Sequence, residues 1–302
     1  MKRTCPLVIG PLRLQLQGEG LRPVQYSAPG YRNFFSPAGP GSAPLAMLRV
    51  DLMPRATPRP AAEPLWGRGQ SWAVWDQGED LLCCAGFQEP GRARYGCRVA
   101  RDLSRAELAL DPAWLAAQPA SLEAPLHYPL DQFLAWGLLS QIGGALVHGA
   151  VAVHEGTGWV FAGRSGAGKS TLADLCHAQG WRILNDDRVI VFRRGGEWRV
   201  AGTPWHGSGC FAEAEEVPLG GIFLLRQAAA EEVKPLSAAQ ARLALLDVTA
   251  VPWFEDTWAQ GTLDGLNRLV TDLPPGEFHF TRTPAAVRAL ETYLYQRSGV
   301  CA

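Results

Sequence analysis

The sequence predicts an α/β fold for the C-terminal part of the chain, preceded by a smaller, mostly-β domain. Three observations carry this. Beyond about residue 125, apolar strand-like runs alternate with helical stretches. Inside that region, "WVFAG" leads into a glycine loop and then into the helical "KSTLADLCHAQG". Residues 1–125 read instead as strands parted by Gly, Pro and Asp turn signals. A chain of 302 residues, 47% of them hydrophobic, has room for about two domains, expected at 1–125 and 126–302.

In the first domain, "LRLQLQGEG" and "SWAVWDQGEDLLCCAGF" alternate or run apolar and read as strands. "YSAPGYRNFFSPAGPGSAP" reads as a long loop, and "PRATPRPAAEP" as a second, mobile one. No catalytic motif occurs there. The domain is either structural or a platform for a substrate or partner.

In the second domain, "PLDQFLAWGLLSQIGG" starts a helix near Pro129 and Asp131 and stops it at Gly143-Gly144. "ALVHGAVAV" and "WVFAG" are strands either side of the turn "HEGTG". The helix after the glycine loop stops at Gly180, and "WRIL" is a strand ending at Asn185-Asp186-Asp187. "RVIVFRR" and "EWRVAG" form a hairpin about Gly195-Gly196, whose φ freedom suits a type I′ turn. "GGIFLLRQ" is a buried strand, and "PLSAAQARLALL" and "PAAVRALETYLYQ" are helices.

Composition excludes several classes. Net charge is -1, so no global field draws the chain to nucleic acid or to an anionic membrane. Seven cysteines without a CxxC pair argue against a zinc site or a disulfide framework. "MKRTCPLVIG" lacks the apolar core of a signal peptide, and no apolar run is long enough to span a bilayer. A cytoplasmic location is expected.

"GRSGAGKST" satisfies G-x-x-x-x-G-K-[ST] at Gly163, Gly168, Lys169 and Ser170, with a strand before it and a helix after. Such a loop turns consecutive amides toward phosphate oxygens, and the helix adds its positive end. The loop residues Gly163, Ser165, Gly166, Ala167, Gly168, Lys169, Ser170 and Thr171 are therefore the expected ATP site. Lys169 reaches the β/γ-phosphates and Ser170 ligates Mg²⁺. The chain has only three lysines, Lys2, Lys169 and Lys234, and one of them stands here.

Asp186-Asp187 closes the next strand. Paired carboxylates can divide labour, one on Mg²⁺ and one orienting a hydroxyl or taking its proton. They can equally be a polar turn. His148, on the strand before the loop strand, is a core histidine or a site residue. "GTPWHGSG" (202–209) is a tight loop facing nucleotide or acceptor, or only a bend.

Taken together, "LVHGAVAV", "GRSGAGKST" and "ILNDDRVIV" resemble the catalytic domain of bacterial HPr kinase/phosphorylase. The resemblance covers roughly residues 125–295. It implies a P-loop domain of the fold shared with ATP-dependent phosphoenolpyruvate carboxykinase, and transfer of the ATP γ-phosphoryl group, with Mg²⁺, to a serine hydroxyl. It further implies that Asp186 and Asp187 are the catalytic carboxylate and a metal contact, Asp187 joining Ser170 on the metal. His148 stands close to them, and Lys169 acts on the transferring group. Homo-oligomeric assembly is implied as well. The family's Glu-x-Arg-Gly-x-Gly signature has no clear equivalent, since "VAGTPWHGSG" stands in that region. The chain looks more like HPr kinase-related proteins, some encoded beside peptide-modification systems such as lasso-peptide clusters. The acceptor expected is a serine of a protein or peptide, not necessarily HPr. The alternatives are a small-molecule kinase or carboxykinase-like enzyme, and an ATP-binding regulatory protein without transfer activity.

Overall fold

The computed structural model describes residues 3–18, 23–35, 43–89, 91–118 and 121–297. They form two compact units, one of residues 1–142 with 252–260, the other of 143–251 with 261–302.

The elements of the first unit are β1 (Arg3–Ile9), β2 (Leu12–Gly18), β3 (Val24–Gln25), α1 (Pro29–Arg32), β4 (Ala46–Pro54), β5 (Thr57–Pro58), β6 (Trp72–Gln77), β7 (Asp80–Glu89), β8 (Arg92–Ala100), β9 (Ala106–Leu110), α2 (Pro112–Ala117), β10 (Leu122–Glu123) and α3 (Leu130–Gln141). Eight of these strands make a mixed sheet in the order β1-β2-β4-β9-β8-β7-β6, with β5 on β8, while β3 and β10 pair in parallel as a separate two-stranded sheet. Alternation along β2 sends Leu12, Leu14 and Leu16 into the core. The loop expected at 26–44 holds the single turn α1, and its residues 36–42 lie outside the described residues. The segment expected to be mobile at 54–64 contributes β5, which pairs with β8 through Thr57 and Ala93. Helix α3 is buried on every side. Its Phe133 ring centroid lies 6.0 Å from Phe254 and 5.7 Å from Trp258. That aromatic packing gathers α3 and residues 252–260 into the first unit.

The second unit holds β11 (Ala145–His154), β12 (Thr157–Ala162), α4 (Lys169–Ala178), β13 (Arg182–Asn185), β14 (Arg188–Arg194), β15 (Glu197–Ala201), β16 (Glu216–Gln227), β17 (Glu232–Pro235), α5 (Ala238–Asp247), most of α6 (Asp256–Asp272), β18 (Gly276–Phe280) and α7 (Ala285–Arg297). Its sheet is mixed: β12 and β18 run parallel to β16, while β11 is antiparallel to β12, β13 and β14. The pairing β12–β16 closes a ring through β11, β14 and β15. Period-2 alternation fills both faces. Val147, Val151, Val160, Ile222 and Leu224 meet Leu245 and Leu269 on the α5/α6 side. Ala150, Phe161, Phe223 and Phe278 meet Leu172 and Leu290 on the α4/α7 side. The Gly195-Gly196 hairpin closes β14 onto β15 with Arg194 opposite Glu197. Ser237 and Gln240 form a capping box at the start of α5. Among the described residues, no helix is long and apolar enough to cross a membrane.

Candidate functional site

The glycine loop leaves the C-terminal end of β12 and delivers Lys169, Ser170 and Thr171 to the first turn of α4. Gly168 caps that helix at φ 101°, where an L side chain is strained. A Cβ at Gly168 would stand 2.7 Å from Phe280 Cζ, part of a fully buried ring. Gly168→Val is therefore expected to cost about 2–4 kcal/mol of stability and to remove any nucleotide binding by the loop. A urea titration and a nucleotide titration check the two effects.

The loop's amides are mostly open. Gly163 N–H donates to His148 O at 3.3 Å and Ala167 N–H to Arg164 O at 3.1 Å. Among the described residues, no acceptor meets the amides of Ser165, Gly166 and Gly168. Gln227 Nε2 steadies the loop from outside by donating to Gly166 O at 2.8 Å. Lys169 is buried, and its Nζ turns back to donate to Gly163 O at 3.0 Å and Arg164 O at 3.2 Å. Burial pulls its pKa below the usual lysine range, against the opposing pull of Asp187 and Asp186. The loop also walls a cleft of about 610 Å³ whose far side is Leu224–Gln227 with Ala244, Asp247 and Val248, a volume typical of small-ligand sites. Arg164 bridges to Asp247 with both its Nε, at 2.5 Å, and its Nη2.

The other half of the site is set by strand register. His148 on β11 faces Arg188 on β14, and Asp187 is the residue just before β14. His148 Nε2 consequently lies 3.0 Å from Asp187 Oδ1, and Arg188 Nε 3.7 Å from Oδ2. Burial pushes the Asp187 carboxyl up. The hydrogen bond from His148 and the charges of Arg188, His148 and Lys169 outweigh it, leaving the group below the ordinary carboxylate range. Both side chains keep about a third of their surface in solvent, 35% for His148 and 28% for Asp187.

Asp186 points elsewhere. It is 1% exposed, and its two oxygens accept from the amides of Gly207 and Gly209 at 2.8 and 2.7 Å. Neighbouring Asn185 is fully buried. Its Oδ1 accepts from the amides of Asp187 and Arg188, both at 2.8 Å, making a tight Asx turn. Its Nδ2 donates to Thr203 O at 2.8 Å. "NDD" is thus a polar turn, and it sets Asp187 beside His148. Gly207 and Gly209, legible in the sequence only as part of a tight loop or bend, escape a reading by motif as partners of Asp186, which is 21 and 23 residues away. The only local signal is the pair of glycines two apart in "HGSG".

The residues present fit a nucleotide with Mg²⁺. The open amides and the Lys169 ammonium suit phosphate, and the Ser170 hydroxyl and Asp187 carboxylate are the hard oxygen donors that Mg²⁺ takes alongside phosphate and water. Among the described residues, no three His, Cys, Asp or Glu side chains converge as a ready-made metal site.

A family model described as "SynChlorMet cassette protein ScmC" matches residues 134–264, less than half of the chain. Among solved structures, the chain is similar to the HPr(Ser) kinase/phosphatase from Coxiella burnetii. Identity is 10% and the TM-score 0.30, over 51% of this chain and 99% of that one. No curated protein matches the chain.

Proposed function

We propose that the chain is an ATP- and Mg²⁺-dependent phosphotransferase of the HPr kinase-related kind, acting in the cytoplasm on a serine hydroxyl of a protein or peptide. The observation that carries this reading is a loop of unpartnered amides with a buried lysine, together with an ionised carboxylate bonded to a histidine. That combination handles a phosphoryl group on one side and a hydroxyl on the other.

In this reading Ser170 and Asp187 hold Mg²⁺, which neutralises charge on the phosphates when bound. Lys169 exchanges its two loop carbonyls for phosphate oxygens, and the amides of Ser165, Gly166 and Gly168 donate to the same group. Asp187, held in place by His148, lines up the acceptor hydroxyl, and the pair receives its proton. Since proton transfer is late in phosphoryl transfer, orientation matters more than basicity.

The test is incubation of the purified chain with γ-³²P-labelled ATP, Mg²⁺ and cell extract. Label in protein or peptide supports the reading. Label only in a low-mass product supports a small-molecule kinase, and ATP binding without any transfer supports a regulatory protein.

A further inference from the structure

Asp186 is 1% exposed and out of reach of a substrate, yet it is bonded at both oxygens to a single short segment. Oδ1 takes the Gly207 amide and Oδ2 the Gly209 amide. The approach is close enough to demand glycine. A Cβ on Gly207 would stand 2.8 Å from Asp186 Oδ2 and 3.3 Å from Asp187 Cβ, and one on Gly209 2.9 Å from Oδ2. The segment therefore lies against both aspartates. Its start is fastened from the same turn: Asn185 Nδ2 donates to Thr203 O, and Thr203 Oγ1 donates to Arg188 O at 2.6 Å. Two consecutive side chains, Asn185 and Asp186, pin both ends of 203–209, while the third, Asp187, keeps solvent access beside it. Within the segment, His206 Nδ1 lies 2.9 Å from Gly207 O.

We propose that residues 203–209 form the acceptor-side wall of the transfer site, and that Asp186 is a positioning residue acting through the amides of Gly207 and Gly209. It neither takes a proton nor binds metal. This rests on the phosphotransferase reading and refines it: of the two aspartates, one builds the wall and the other faces the hydroxyl. The wall sets where the acceptor stops relative to Asp187, so it governs transfer to a hydroxyl-bearing polypeptide more than hydrolysis by water, which needs no wall.

Asp186→Asn tests this, because an amide offers one acceptor where the two glycine amides need two. Hydrogen exchange over 203–209 is expected to quicken about tenfold or more, with β14 unchanged. With labelled ATP, Mg²⁺ and cell extract, labelling of protein should fall roughly 10²-fold, and the partition of label should shift toward inorganic phosphate. Mg–ATP affinity and the pH profile of turnover should stay as in the wild type. If Asp186→Asn does not fold, Gly209→Ala carries the same test from the loop side, with the carboxylate intact. Unchanged exchange in 203–209 overturns the anchoring. A fall in Mg–ATP affinity, or loss of the acid limb of the pH profile, overturns the positioning role and makes Asp186 a metal ligand or base. A wild-type chain that turns over no ATP defeats the phosphotransferase reading and the acceptor wall with it, while the exchange result still judges the anchoring separately.

Discussion

Replacement of Lys169 by Met is expected to slow γ-phosphoryl transfer by roughly 10²–10³-fold and to leave the melting temperature unchanged or higher. The two halves of this result have one cause. Lys169 is 7% exposed, and among the described residues its ammonium donates to the carbonyls of Gly163 and Arg164. Its pKa lies below the ordinary lysine value because burial disfavours the charge. A base with a depressed folded-state pKa binds its proton less well folded than unfolded, so the charged form weakens the fold at neutral pH. Met fills the same space and brings no charge. In the proposed function that charge acts on the phosphates, where it stabilises the transferring group. Labelled-ATP turnover and calorimetry on the same preparation check both halves. A folded Lys169→Met protein with full transfer activity would end the phosphotransferase reading.

Asp187→Asn is expected to reduce transfer by roughly 10²–10⁴-fold, with a parallel loss of Mg–ATP affinity, since in the proposed mechanism this carboxylate serves both the metal and the hydroxyl. Its effect on stability should be small at neutral pH, about 1 kcal/mol, because Asn still offers Oδ1 to His148. The pH dependence has a definite sign. The folded-state pKa of Asp187 lies below the ordinary carboxylate value. Its contribution to stability is thus fully present above about pH 4 and is lost as pH falls through the lower folded-state value. Melting curves of wild type and Asp187→Asn should differ above pH 4 and converge in stronger acid. A difference that grows as the pH falls would contradict the ion-pair account of His148 and Arg188 around this group.

The loop and its flanking elements were legible because the chemistry is local. Glycines at 163, 166 and 168 free the backbone, Lys169 and Ser170 follow at fixed offsets, and the strand before and helix after are read from apolar periodicity. The hairpin at Gly195-Gly196 and the helix in "PLSAAQARLALL" were legible for the same reason. Helix α6 was not. Its interior carries Gly261 and Gly265, which weaken any helical reading. Gly265 is there because the backbone of Gly143 passes so close that a Cβ would lie 2.3 Å from Gly143 O. No inspection of residues 256–272 alone supplies that reason.

The same division runs through the site. Residue order alone decides that this chain has a G-x-x-x-x-G-K-[ST] loop, two adjacent carboxylates after the next strand and a histidine before it. φ freedom, helix polarity and side-chain type act over a few residues, and sequence records them directly. Which aspartate does what is decided only by the tertiary structure. Strand register places His148 3.0 Å from Asp187, and a segment 21 to 23 residues away brings two glycine amides to Asp186. Two chemically identical neighbours acquire different partners because a turn sends their side chains in different directions, one into the interior and one toward solvent.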